Sequence, residues 1–304
     1  MRIWQPEPDE ILLARTPVTF ATGHAMPVSG MRWFRDTERR DIQDELPGWP
    51  EGPVYAPRSA SGSLTRNIGR GGAAALGAAL MGFLTGGGGS GPSPSRAGSV
   101  TSIDHPDEVE DFPVVWAAPG TIARTLPWQL DPDRSPAPER CRTHAIVTDR
   151  RVVLVGLPVH KDKGLIEDEV LWETPRSTIS RVEPRDFRHG RDVKVTFGDG
   201  SWCRLETVVR PEFTRHLAGP LNLVPPDALA PGQRNAVDGF LVSARAGAPD
   251  CGSPVITRRS CGHYRVEVLP PSRFDSFFGA CELELIMDSD GAEVELAEQH
   301  PDDF

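Results

Sequence analysis

The residues best suited to chemistry in this 304-residue chain are basic side chains gathered on one short stretch. They are Arg181, Arg185, Arg188, Arg191 and Lys194, with His189 among them. Guanidinium and ammonium groups on one loop bind phosphate or carboxylate through charge-assisted hydrogen bonds, so the stretch predicts an anion-binding loop. The alternative interpretation is a solvated hairpin turn whose charge is balanced by the neighbouring acids Glu183, Asp186 and Asp192.

The sequence patterns of common catalytic sites are absent from the chain. It has no GxSxG elbow, no GxxxxGK[ST] phosphate loop and no HExxH motif. Its 5 cysteines are widely spaced and lack the CxxC pairs of a zinc site. Asp288-Ser289-Asp290-Gly291 resembles the start of a calcium loop, but the later oxygen ligands do not follow, which favours a hairpin turn. We therefore predict no catalytic residue, no metal site and no cofactor.

The basic stretch lies among short β-type segments that must position it. His144–Thr148 and Arg151–Val155 are apolar runs separated by two residues, the spacing of a tight hairpin. Glu169–Trp172 is a further apolar run, and 175–182 leads towards the next strand. Together these segments predict a succession of antiparallel strands.

The next hairpin has a register that follows from burial. Val193 and Val195 alternate with polar residues, as a strand with one buried face should. A three-residue turn at Gly198–Gly200 places Cys203 and Leu205 on the same face as these valines, whereas a two- or four-residue turn would not. The three-residue turn is therefore predicted.

An amphipathic helix is predicted directly after these strands. Pro211 is a good first helical residue, and Phe213, Leu217 and Leu221 recur at helical spacing. This stripe would lie across the mouth of a barrel formed by the strands. The predicted fold class is α+β, with a small antiparallel β-barrel capped by a C-terminal helix.

This succession of elements resembles the bacterial pleckstrin-homology-like (PH-like) and GRAM-like domains. The resemblance spans residues 120–222, approximately, and rests on the strings THAIVTDRRVVLVG, WETPRSTISRVE, VKVTFGDGSWCRL and PEFTRHLAGPL. It implies a PH-like barrel that acts as a binding module for lipid headgroups, peptides or partner proteins. It implies no shared catalytic residues.

Net charge and the N-terminus narrow the classes of partner. A formal net charge of -10 argues against non-specific nucleic-acid binding, which needs a basic surface. Residues 1–10 are polar and contain two prolines, unlike a secretory signal, so a cytoplasmic protein is expected. The apolar stretch 71–89 is shorter than the roughly 20 residues needed to cross a bilayer, so no transmembrane helix is predicted.

The same apolar stretch contains a candidate docking stripe. If it is helical, Leu76, Leu80, Phe83 and Leu84 form one face with small residues opposite. Such a helix would contact a partner helix or a membrane surface. Glycines weaken helices by about 0.8 to 1 kcal/mol each relative to alanine, which favours the alternative of an intramolecular or disordered segment.

Composition divides the chain into four parts. Residues 1–60 are predicted to hold a strand (11–20) and a short helix (35–45), and residues 61–111 a flexible Gly/Ala/Pro-rich segment. Residues 112–225 form the PH-like domain. Residues 231–304 form a second small α+β unit with a helix over 231–245 and strands over 264–269, 282–287 and 292–296.

Two functional hypotheses follow. The first is a non-enzymatic interaction or scaffold module that binds a partner protein, or an anionic lipid headgroup through peripheral contact with the inner membrane face. The second is an enzyme of unrecognised family whose site lies between the barrel and the C-terminal unit. A deep pocket with convergent polar groups would favour the enzyme, and a groove or flat basic face would favour the module.

Overall fold

The structure is a computed structural model that describes residues 4–25, 28, 30, 33–53, 107–134, 141–158, 168–187, 190–207, 210–247, 251–269 and 283–300. Within these residues the protein is an α+β fold with many strands and few helices, as the sequence predicts. The strands are β1 (Leu12–Pro17), β2 (Thr19–Phe20), β3 (Phe34–Arg35), β4 (Val115–Trp116), β5 (Cys141–Thr148), β6 (Arg151–Pro158), β7 (Glu169–Pro175), β8 (Ile179–Arg185), β9 (Asp192–Phe197), β10 (Trp202–Glu206), β11 (Val255–Arg258), β12 (Tyr264–Val268) and β13 (Leu283–Met287). The α-helices are α1 (Arg210–Leu217) and α2 (Pro231–Gly247).

The first sheet has the order β1-β5-β6-β7 and is antiparallel throughout. The predicted hairpin is present as β5 and β6, and the predicted N-terminal strand is present as β1 and β2. β1 joins the sheet through its ladder with β5, so a segment distant in sequence completes the sheet. Arg15 of β1 also binds Asp168, which precedes β7, through two N–H···O bonds of 2.9 Å.

The second sheet has the order β3-β4-β10-β9-β8, with β2 paired to one end of β10. The predicted register is confirmed, because Cys203 lies opposite Val195 and Leu205 lies opposite Val193. The turn between β9 and β10 is closed by a hydrogen bond of 2.8 Å from Phe197 N to Ser201 O, which leaves three residues in the loop. Burial of one face therefore selects this register, as expected.

The first two sheets and α1 share one hydrophobic core. It contains residues from β1, β5, β6, β8, β9 and β10, together with N-terminal side chains such as Phe34 and Ile42. Phe213 and Leu217 of α1 are each 1% exposed and pack into it. The helix ends at Leu217, and Gly219 follows with a φ of +84°. Leu221 packs on the same core from beyond the helix end.

The predicted closed β-barrel is wrong. The consecutive strands β7 and β8 form no ladder among the described residues, so each lies at the edge of its own sheet. Pro175 ends β7 and Pro184 lies in β8, and proline has no N–H to donate to a neighbouring strand. The 3-10 turn Arg176–Thr178 carries the chain from one sheet to the other. The result is two open sheets around a common core.

The C-terminal part forms a third sheet, β11-β12-β13, covered by α2. The predicted helix is confirmed, because Val237 and Leu241 of α2 pack against Val266 and Val268 of β12. The predicted strands at β12 and β13 are also present. The opposite face of β12 carries charged residues that face α1.

Two short segments differ from the predicted elements. Residues 35–45 form a turn around Asp36, whose carboxylate accepts the N–H groups of Glu38 and Arg40, and then a 3-10 turn at Gln43–Glu45 in place of an α-helix. Residues 292–296 form an isolated bridge from Glu293 to Met287 and a main-chain bond from Val294 N to Ile286 O in place of a regular strand. In the first segment, local side-chain to backbone bonds replace the helix.

Candidate functional site: a charged face of the second sheet

The predicted basic residues lie on and around the β8–β9 hairpin. The described members are Arg181 and Arg185 on β8, Arg191 just before β9, and Lys194 on β9. Arg188 lies outside the described residues. Arg185 and Lys194 come together at the carboxylate of Glu110, which belongs to a distant part of the chain. The structure thus adds an acidic partner that the local sequence does not contain.

Lys194 is a buried cation on the face of β9 opposite the core. Its neighbours Val193 and Val195 point into the core, so alternation directs Lys194 to the outer face. It is 5% exposed, and its Nζ lies 4.3 Å from the centroid of the Trp202 ring. The ammonium also donates a hydrogen bond to the carboxylate of Glu110. The charge is therefore held by a carboxylate and an aromatic face.

Arg204 is a second buried cation on this face, directly opposite Lys194 in the β9–β10 ladder. It is 0% exposed, and its guanidinium carbon lies 4.7 Å from the centroid of the Phe187 ring. Nη2 donates to the main-chain oxygen of Glu110, and Nε lies 3.4 Å from that of Pro113. Its Nη1 has no hydrogen-bond partner within the described ranges. Burial lowers the pKa of Arg204, while nearby acidic charges oppose that shift.

Sequence reasoning missed Arg204 because it lies apart from the basic stretch. The signal that locates it is the strand register: if Cys203 and Leu205 face the core, Arg204 must share the outer face with Lys194. A search for clustered charges in the sequence does not apply that rule.

An acidic turn, residues 107–112, covers both cations. The Asp107 carboxylate accepts the N–H groups of Val109 and Glu110 at 2.8 and 2.9 Å. The Asp111 carboxylate accepts the N–H of Asp107 at 2.7 Å. These bonds fix the shape of the turn from within. The turn thereby presents the side chain and carbonyl of Glu110 to the sheet.

Gly23 lets the acidic turn approach the sheet closely. Its φ is +57°, and a Cβ at this position would lie 2.2 Å from Asp111 O and 2.8 Å from Nε of Arg204. The next residue, His24, donates its backbone N–H to Asp111 O at 2.7 Å. The ring of Phe112 lies 5.3 Å from that of His24. A side chain at position 23 would therefore push the turn away.

Every described candidate cation lies beside a carboxylate. The N–O distances are 3.1 Å for Arg181 to Glu183, 3.9 Å for Arg185 to both Glu183 and Glu110, and 3.9 Å for Arg191 to Glu206. The side chain of Arg181 is 70% exposed, so solvent screens its pair, whereas that of Lys194 is 7% exposed. This part of the described surface therefore has mixed charge.

A second charged cluster joins α1 to β12, and we name it the α1–β12 ion cluster. Glu267 is 3% exposed, it forms ion pairs with Arg215 and, at 2.9 Å, with Arg265, and its carboxylate lies 3.0 Å from Nε2 of His216. Arg265 also pairs with Glu284 of β13. Burial opposes ionisation of Glu267, but the hydrogen bond and charge of His216 and the charges of Arg215 and Arg265 lower its pKa to about 2.

The remaining predicted sites are the apolar stripe and the Asp288 turn. The apolar stripe of Leu76, Leu80, Phe83 and Leu84 lies outside the described residues. Asp288 accepts the N–H groups of Asp290 and Ala292 at 2.8 and 2.9 Å, as the side chain of a tight turn does. In the described parts of the chain, no three His, Cys, Asp or Glu side chains group as metal ligands.

Comparisons with known proteins do not assign this chain to a family. Over the described ranges, no helix combines the length and apolar character needed to cross a membrane. The chain matches no family model, no curated protein and no solved structure.

Proposed function

We propose that this protein is a non-enzymatic interaction module in the cytoplasm that binds a partner protein through a PH-like unit. The unit comprises the first two sheets and α1. Two largely antiparallel sheets around one core, followed directly by an amphipathic helix packed on that core, support the PH-like assignment. The unit departs from a minimal domain of this kind because β1, β2 and β3 of the N-terminal segment extend both sheets.

The charge pairing of the candidate cations favours a protein over a lipid headgroup as the partner. Each described member lies 3.9 Å or less from a carboxylate. An anionic membrane attracts a surface with excess positive charge. A mixed-charge surface instead matches a protein surface of complementary pattern, where charges determine partner choice and association rate.

Site-directed photo-crosslinking tests this proposal. A benzophenone amino acid is placed at Arg181, whose side chain is 70% exposed beside the charged face, or at Val242 of α2, which is also 70% exposed and serves as the matched control. We expect discrete high-mass adducts after irradiation in cells from position 181 and none from position 242. No adduct, or the same adducts from both positions, would contradict the proposal.

Co-sedimentation with liposomes provides the second arm of the test. The purified full-length protein, and a variant lacking residues 62–100, are mixed with anionic or neutral vesicles over a range of salt concentrations. We expect both proteins to remain in the supernatant. Salt-sensitive sedimentation with anionic vesicles, weakened by the deletion, would instead establish headgroup binding with an apolar contribution from the deleted segment.

A further inference from the structure

We propose that the acidic turn is an internal ligand and that the sheet face beneath it binds an acidic peptide segment of a partner protein. The face consists of Arg185, Lys194 and Arg204, which the turn now occupies. The inference rests on the proposed function, because it names the chemistry of the partner and the contact that controls access. The observation that supports the inference is that a peptide segment of this chain already lies on the three cations.

The contacts made by the turn are those of a peptide. The side-chain carboxylate of Glu110 accepts from Lys194 and lies 3.9 Å from Nη2 of Arg185. Its main-chain oxygen accepts from Arg204, whose Nε is 3.4 Å from the main-chain oxygen of Pro113. The face thus binds an acidic side chain and the backbone carbonyls around it. A lipid headgroup would supply anionic oxygens but not this combination.

The cations beneath the turn attract an anionic neighbour. Lys194 and Arg204 are 5% and 0% exposed with the turn in place, and its displacement would open them to water and to other anions. Among the described residues, the carboxylates of Asp192 and Glu183 also lie near these cations, and the turn adds that of Glu110. An acidic replacement would restore the carboxylate that leaves with the turn. The Nη1 of Arg204, which has no hydrogen-bond partner in the described part of the chain, offers one further donor.

The side-chain contacts that hold the turn down are partly open to solvent. The side chain of Glu110 is 45% exposed, so water screens its pairs with Lys194 and Arg185. Asp107 holds the turn together but is itself exposed. The main chain is attached more strongly, by the bonds of His24 N to Asp111 O and of Arg204 N to Val114 O and by the pairing of β4 with β10. Displacement of the turn breaks the first of these bonds, while those of Val114 and β4 can stay.

Peptide binding in trans tests the inference with the full-length protein. The probe is a fluorescein-labelled peptide with the sequence of residues 107–113, Asp-Glu-Val-Glu-Asp-Phe-Pro, measured by fluorescence polarisation. Two variants release the turn in different ways: Glu110→Ala removes the carboxylate, and Asp107→Ala removes the internal hydrogen bonds. Glu108→Ala is the matched control, because it makes the same charge change in the same turn at an exposed residue. Thermal unfolding verifies that each variant is folded.

We expect both releasing variants to bind the probe at least about tenfold more tightly than the wild type or Glu108→Ala, because a tethered competitor has a high effective concentration. Replacing the fourth residue of the probe by glutamine, or adding Arg185→Gln and Lys194→Met to Glu110→Ala, should abolish binding. Equal affinity for all four proteins, or for both probes, would overturn the inference. Sedimentation of the released variants with anionic vesicles in the absence of peptide binding would also overturn it.

This outcome is separable from that of the proposed function. If position 181 still forms specific adducts while the released variants do not bind the peptide, the proposal of partner binding is retained and only the internal-ligand inference fails. If adducts are absent as well, both fail.

Discussion

Replacing Glu267 by glutamine is expected to lower the free energy of unfolding at pH 7 by about 3 kcal/mol. The carboxylate is the shared anion of the α1–β12 ion cluster, in contact with Arg215, His216 and Arg265. Glutamine keeps the size of the side chain but removes its charge. Arg215 and Arg265 would then stay buried and lose the carboxylate of Glu267, although Arg265 keeps its pair with Glu284. Removing one partner is the costly way to break a buried ion pair.

The magnitude follows from the pKa of Glu267. It falls from an ordinary value of 4.5 to about 2 on folding. Each pKa unit corresponds to about 1.4 kcal/mol, so the ionised side chain contributes about 3 kcal/mol. Because the folded-state pKa is the lower one, this stabilisation is fully present above pH 4.5 and is lost as the pH falls towards 2.

Urea denaturation at several pH values between 3 and 7 measures both effects. The wild type should lose stability below pH 4.5 more steeply than Glu267→Gln, so the two curves should converge in acid. Glu284→Gln is the matched control, because Glu284 pairs with the same Arg265 but its side chain is 45% exposed. That variant should lose no more than about 1 kcal/mol.

A loss of less than about 1 kcal/mol for Glu267→Gln at pH 7 would refute this reasoning. So would a constant difference between the two proteins across the acid range. Equal losses in Glu267→Gln and Glu284→Gln would show that burial does not govern the cluster.

Two further predictions concern backbone fit and thiol chemistry. Gly23→Ala should lower the unfolding temperature by more than Gly200→Ala. Both positions have a positive φ, which costs an alanine about 1 to 2 kcal/mol, but a Cβ at position 23 also meets Asp111 O whereas position 200 has open space. Equal losses on calorimetry would contradict the close approach. Burial raises the pKa of the Cys203 thiol to about 12. A brief iodoacetamide pulse at pH 8, followed by peptide mapping, should therefore label Cys261 and leave Cys203 unmodified. Labelling of Cys203 at the same rate would refute its burial.

The elements that sequence predicts well are those whose signal is local. The period-2 pattern of Val193 and Val195 and the three-residue turn after β9 determine the register of β9 and β10 without any knowledge of distant segments. The apolar spacing of α2 likewise locates Val237 and Leu241 on its buried face. In each case apolar residues recur with a period of 2 or 3.6 residues, which indicates the buried side of the strand or helix.

What sequence did not predict depends on contacts between distant segments. Nothing in residues 12–17 indicates that β1 pairs with β5, because any half-buried strand could do so. The separation of β7 from β8 depends on Pro175 and Pro184, whose missing N–H groups matter only once the edges are known. The pairing of Glu110 with Lys194 joins residues 84 positions apart, so local charge counts overstate the free positive charge of the hairpin.

The position of α1 has a consequence for how this chain can vary. One side of the helix, with Phe213 and Leu217, belongs to the core of the first two sheets, and the other side, with Arg215 and His216, holds Glu267 of the third sheet. Separating the chain between residues 225 and 231 would lose these ion pairs, although the described element in that interval is the 3-10 turn Pro226–Ala228 alone. The two halves therefore cannot be exchanged between proteins as independent cassettes. A substitution on either side of this helix limits which substitutions the other half tolerates, so the halves must evolve together.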